Sequence, residues 1–213
     1  GFDALSGNQI WSRFLSSSKV MISNVHNGLI YAVSNNQYFA VNATTGQIPY
    51  NDGIGGVITS PPTLHNDKVI FGSHDTFIYA LNISTGDVLW RYETGWGIDT
   101  SPVIYNNTVY IGSQDHNIYA LDVDNGSLRW LYTCKGAIHS SLFVVDGYLV
   151  SGSDDGVLYI LDASTGSLVY RFIPGYTING TVNYLTTPIL GGITGENRVV
   201  YTSNGGVVYA LQL

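Results

Sequence analysis

Three side chains able to exchange protons or hydrogen bonds stand forty residues apart: Thr59, Asp99 and His139. An aspartate beside a histidine is the start of general acid-base chemistry, because the carboxylate orients the imidazole and steadies its charged form. Hydrolysis would also need a nucleophile. The neighbouring hydroxyls Ser60, Thr100, Ser140 and Thr186 recur beside each position, which marks a structural role, so no catalytic residue is assigned. Thr59, Asp99 and His139 are instead expected to form a polar binding patch, with Val20 and Leu185 at the equivalent places. Trp96, in "ETGWGID", carries a second kind of chemistry: a flat aromatic between two glycines, unrepeated elsewhere, suited to stacking on a sugar or anchoring a protein. His26 and His65 fall in one kind of turn and His74 and His116 in another, with no metal-ligand spacing, so no metal site is expected. Cys134 is the single cysteine and is expected to be a packed thiol.

The elements that position these groups come from a repeat. Gly7, Gly46, Gly86, Gly126 and Gly166 are spaced by 39, 40, 40 and 40 residues. Four residues before each stands Asp3, Asn42, Asn82, Asp122 or Asp162, and four after each stands Trp11, Tyr50, Trp90, Trp130 or Tyr170. Each unit contains four short runs rich in Val, Ile and Tyr, as in "SPVIYNN", "TVYIGS", "NIYALD" and "SLRWLYT", separated by turn residues. Gly126 and its equivalents are expected to take positive φ, with Asp122 and its equivalents accepting backbone N–H groups across the turn. Gly112-Ser113 with Asp115, repeated around residues 72–75 and 152–155, should close the next hairpin in the same way. One four-stranded sheet cannot bury both faces, so successive sheets must stack, with the recurrent aromatics between them.

The pattern D-x-x-x-G-x-x-x-W, followed by Ser-Pro and "VYIGSQDHNIYALD", resembles the PQQ-like, or quinoprotein alcohol dehydrogenase-like, β-propeller repeat with its tryptophan-docking motif. Tyr50 and Tyr170 replace Trp, Asn42 and Asn82 replace Asp, and the first unit lacks the Ser-Pro. Phe2-Asp3 aligns with Leu211-Gln212, so the expectation is one all-β domain over residues 1–213, a five-bladed propeller of four-stranded antiparallel blades. Its repeats run roughly over 3–41, 42–81, 82–121, 122–161 and 162–213, with residues 1–12 completing the last blade and closing the ring. An excised part of a larger ring would show the same phase. The resemblance implies, for quinoprotein dehydrogenases, an eight-bladed ring with an adjacent cysteine pair, a calcium site and a catalytic Asp. One cysteine and five repeats do not meet that description, so no cofactor is expected. Non-enzymatic members of the family include an outer-membrane assembly lipoprotein and repeat domains of surface proteins, and these are the nearer analogy.

Only 11% of the 213 residues are charged, and the net charge of −7 with eight Lys and Arg leaves no basic stripe for nucleic acid. No stretch approaches the roughly 18 apolar residues of a membrane helix, and the chain is read as soluble, without membrane insertion. Sequons at Asn42, Asn82, Asn106, Asn125 and Asn179 favour an extracellular or cell-surface setting, although turns enrich these residue types anyway. The fifth unit is ten residues longer than the others, in "IPGYTINGTVNY" and "GGITGEN", where Tyr176, Asn179 and Tyr184 are further candidate contacts. The leading expectation is a non-catalytic binding or scaffold module contacting a protein or glycan, as a monomer or within a larger surface assembly. The alternatives are a PQQ-dependent dehydrogenase-like fragment, a hydrolase using Asp99 and His139, a five-bladed lectin, and a rigid spacer.

Overall fold

Alternation of apolar and polar residues between Asn, Asp and Gly turns makes short antiparallel strands, and the chain forms them one after another. The computed structural model describes residues 5–173 and, beyond these, the strand segments Thr177–Ile178, Thr181–Val182, Thr187–Gly191, Arg198–Thr202 and Val208–Gln212. The first sheet contains β1 (Met21–His26), β2 (Leu29–Ser34), β3 (Gln37–Asn42) and β4 (Tyr50–Gly53). The second contains β5 (Thr63–His65), β6 (Lys68–Gly72), β7 (Phe77–Asn82) and β8 (Val88–Glu93). The third contains β9 (Val103–Tyr105), β10 (Thr108–Gly112), β11 (Asn117–Asp122) and β12 (Leu128–Thr133). The fourth contains β13 (Phe143–Val145), β14 (Tyr148–Gly152), β15 (Leu158–Asp162) and β16 (Leu168–Phe172). Each is an antiparallel meander in sequence order. A two-stranded hairpin, β17 and β18 (Thr177–Ile178 and Thr181–Val182), precedes a three-stranded sheet of β19 (Thr187–Gly191), β20 (Arg198–Thr202) and β21 (Val208–Gln212).

The meander gives each sheet two rims. One carries the first hairpin turn and the Asp/Asn-x-x-x-Gly turn, here called the turn rim. The other carries the second hairpin and the loop leaving for the next sheet, here called the loop rim. Between sheets lie continuous apolar layers: Tyr31, Val33 and Tyr38 against Val69, Phe71 and Tyr79, then Ile70, Ile78 and Ile98 against Val109, Ile111 and Leu121, then Tyr110 and Ile118 against Leu149, Tyr159 and Leu161. Ile58, Ile98 and Ile138 recur at the end of each exit loop and are fully buried. A Cβ on Gly72 would lie 2.1 Å from Ile98 Cγ2, so that glycine makes room for the plug.

The recurrent aromatics tie each sheet to the next. Trp90 pairs across the ladder with Ala80, and Trp130 with Ala120, small partners that leave the indole free to lean outward. Each of these two strands carries a bulge just before its aromatic, where register shifts. Trp90 then covers Gly126 of the next sheet and Trp130 covers Gly166, so that a Cβ on either glycine would sit within 2.7 Å of the ring. Trp90 Nε1 donates to Val123 O at 3.0 Å, Trp130 Nε1 to Ala163 O at 3.0 Å, and Tyr50 Oη to Ile83 O at 2.7 Å. Trp11 does the same for the first sheet, over Gly46 and donating to Ala43 O at 2.9 Å. The turns beneath are closed as anticipated: Asp122 Oδ1 accepts from Asp124 N at 2.9 Å and Asn125 N at 3.2 Å, and Asp162 and Asn82 act alike.

Gly126→Ala should destabilise the protein by more than ~1 kcal/mol, because φ is +72° and the new methyl meets the Trp90 ring. Gly147→Ala shares the positive φ but has open space around it, so it should cost measurably less. Urea midpoints of the two variants check the difference.

Candidate functional site

The loop rim brings the forty-residue series together. Thr59 Oγ1, in the exit loop of the first sheet, donates to Asp99 Oδ1 at 2.8 Å. His139 Nδ1, in the exit loop of the third sheet, lies 2.9 Å from Asp99 Oδ2. The three positions singled out by spacing are therefore joined at one carboxylate. Two partners were not anticipated. His74, at the second hairpin of the second sheet, bonds through Nε2 to Asp99 Oδ1, and Gln114, its equivalent one sheet on, donates through Nε2 to Asp99 Oδ2. Asp154, the next equivalent, has Oδ2 3.4 Å from His139 Nε2. The expectation that His74 belongs to a turn with no further role is corrected: its turn leans over the preceding loop, where His74 N donates to Val57 O at 2.9 Å. A signal was present in the forty-residue spacing of 74, 114 and 154, three polar residues each following a Gly-Ser.

The hairpins are anchored by a second repeated network. Asp75, Asp115 and Asp155 close their own turns through Oδ1 and accept the hydroxyls of Tyr79, Tyr119 and Tyr159 through Oδ2. Asp115 Oδ2 also accepts from Gly95 N at 2.7 Å, and Asp155 Oδ2 from Lys135 N at 3.1 Å, so each hairpin holds the exit loop of the sheet before it. Burial first, then the adjacent carboxylate, pushes Tyr79 up to about 12 and raises Tyr119 and Tyr159 as well.

Burial alone would raise the Asp99 carboxyl. The hydrogen bonds from His74, Thr59 and Gln114 outweigh it and hold Asp99 at about 2. The carboxyl is thus held in its charged form, bonded to the four neighbours around it. Among the described residues no group of three His, Cys, Asp or Glu is disposed to hold a metal ion. Cys134 is buried, and desolvation raises its thiol well above the ordinary range.

Trp96 lies on the same rim with 64% of its surface exposed. Its carbonyl accepts from Thr94 Oγ1 at 2.6 Å and Ser113 Oγ at 3.2 Å, which fixes the loop beneath the indole. Asn42, Asn82, Asn106 and Asn125 all lie on the opposite, turn rim. Tyr176, Asn179 and Tyr184 lie outside the described residues.

Stacked four-stranded meanders, each locked to the next by an aromatic over a turn glycine, define a β-propeller repeat protein of the PQQ-like class. Residues 1–141 match the family described as outer membrane protein assembly factor BamB, and the chain belongs to that family. The crystal structure of BamB from Moraxella catarrhalis is similar at 26% identity and a TM-score of 0.69, over 87% of this chain and 55% of that one. The chain thus spans about half the length of that BamB. The computationally designed Ika4 protein is similar in fold at 22% identity and a TM-score of 0.64, over 76% of this chain and 94% of its own. The designed Ika8 protein gives 17% identity and a TM-score of 0.62, over 98% and 75% respectively. No curated protein is significantly similar in sequence.

Because Asp99 falls from an ordinary 3.8 to about 2 on folding, its charged form is favoured by the fold. That stabilisation is complete above the unfolded value and is lost as pH falls through the folded one. Asp99→Asn should therefore flatten the loss of stability between about pH 4 and pH 2, leaving the lowered Asp67, Asp122 and Asp162 to contribute to the remaining slope. Denaturant midpoints measured across that range check it.

Proposed function

We propose that the chain is a non-catalytic scaffold whose loop rim binds a protein partner outside the cell or at its surface, with glycan contact as a further use of the same rim. The observation that carries this reading is the Asp99 arc. Six side chains from four successive sheets, Thr59, His74, Asp99, Gln114, His139 and Asp154, meet there in bonded or near-bonded order. Such an arc presents fixed donors and acceptors without an activated nucleophile or a proton acceptor of useful strength. Membership of the family of an outer membrane protein assembly factor supports a protein as partner. Among the described residues no helix is long and apolar enough to cross a membrane, and the acidic charge disfavours nucleic acid. The described sequons occupy the turn rim, so sugars attached there would leave the loop rim free.

The same reading takes residues 1–213 as one five-bladed ring, its last blade completed by residues 1–12. Support comes from the docking series. Trp11 sits over Gly46 as the fourth-strand aromatics sit over Gly86, Gly126 and Gly166, so the segment around it already occupies the place of a preceding blade's outer strand. The remaining members of the series are Tyr170, 55% exposed, and Gly7, with φ +71° and nothing within 4 Å of its Cβ position. In a closed ring Tyr170 covers Gly7.

Replacing Tyr170 by Ala should then lower the urea midpoint about as much as Tyr50→Ala; an effect within ~0.5 kcal/mol of zero means an open arc. For the function, photo-crosslinking residues placed at Thr59 and at His139 in living source cells should give the same protein adduct, with none from Ser127 on the turn rim. Equal labelling from both rims, or from neither, overturns the loop-rim assignment. Mixing the protein with PQQ and calcium should leave the cofactor spectrum unchanged, and a bound spectrum would restore the dehydrogenase reading.

A further inference from the structure

Trp96 departs from the repeat in a way the scaffold does not require. The loops before and after it carry Gly56 and Gly136 at the same place, where a Cβ would meet the backbone N of Asp75 at 2.3 Å and of Asp155 at 2.4 Å. Trp96 carries a side chain at this place and leaves 64% of its surface exposed. The other described tryptophans, Trp11, Trp90 and Trp130, all serve docking. Gly97, the next residue, is flush against the polar arc: a Cβ there would be 3.4 Å from His74 Cα and 3.7 Å from Gln114 Oε1.

Resting on the loop-rim reading above, we propose that the Trp96 indole and the arc around Asp99 form one subsite for a neutral sugar residue. A pyranose presents an apolar C–H face and a rim of hydroxyls at fixed angles. The exposed indole matches the first, through the stacking that aromatic faces favour. The second is matched by groups already held in place: the Thr59 hydroxyl, the half-exposed imidazoles of His74 and His139, and the carboxylate of Asp154. The 3.4 Å between His139 Nε2 and Asp154 Oδ2 is long for a hydrogen bond, and a ligand hydroxyl would take both partners at better distance. Asp99 and Asp154 repel an anionic ligand, and among the described residues no Lys or Arg side chain bonds to either of them or to His139. A single such site also differs from a ring of identical lectin pockets, since neither Trp96 nor Asp99 recurs.

The test uses the intact chain with cellotetraose, maltotetraose and chitotetraose as probes. Saturation-transfer NMR should show one of them bound at millimolar concentration, and that probe should protect tryptophan fluorescence from acrylamide, since Trp96 is the tryptophan most open to the quencher. Trp96→Ala should abolish both signals with an unchanged melting temperature, and His139→Ala should weaken binding about tenfold while leaving quenching of the free protein as it was. Binding that survives Trp96→Ala, or no transfer to any of the three probes, overturns the proposal and leaves the indole as a protein contact.

Discussion

An aromatic ring laid over a left-handed glycine is the constraint from which the rest of this structure follows. The glycine must lack a side chain for two reasons at once: its φ is positive, and the space a Cβ would fill belongs to the ring of the preceding sheet. For Trp90 and Trp130 the strand bulges just before the ring and a small residue, Ala80 or Ala120, faces it across the ladder. Its polar atom then takes the carbonyl one residue past the Asp or Asn that closes the turn. Shape, backbone conformation and hydrogen bonding are thus specified by the same few residues, which is why the motif repeats so closely while the exposed strand surfaces around it vary.

Fixing sheet on sheet in this way fixes the loops as well. Each second hairpin is placed over the exit loop of the previous sheet and holds it through one aspartate, by way of Gly95 N on Asp115 and Lys135 N on Asp155. Residues forty apart in sequence therefore become neighbours across a sheet boundary, as do Asp99 and Gln114 fifteen apart, while Asp99 and His74, twenty-five apart, become partners within one repeat. The loop rim turns a linear period into a row of adjacent side chains. The turn rim makes the equivalent row from Asp and Asn bonded to their own backbone.

The repeat was legible because it obeys local rules: turn glycines, Asx turns and alternating apolar runs declare themselves within ten residues. The joining of Thr59, Asp99 and His139 was legible for the same reason, since equal positions in stacked units must approach one another. His74 and Gln114 were missed because their contact depends on how far a hairpin leans across its neighbour, a tertiary quantity with no local signature. Their role appears only when the series 74, 114, 154 is read against 59, 99, 139 as two interleaved rows. Trp96 was legible as an exception to the repeat. Its sequence could not say that the matching glycines, Gly56 and Gly136, lie too close to the next hairpin to carry a side chain.

Asp99 and Trp96 lie on the same rim in opposite states. Asp99 is polar, partly buried and chemically suggestive, yet its two oxygens are taken by four neighbours, and its depressed pKa is the thermodynamic record of that commitment. Such a group contributes rigidity and a fixed array of donors and acceptors. Trp96 makes the opposite arrangement: its backbone is bonded on both flanks while its ring is left in water. A firmly held loop presents its exposed indole in one place, which lowers the ordering cost of any contact the ring makes. The repeat supplies a stiff frame, and on its loop rim one residue breaks the pattern beside several that keep it.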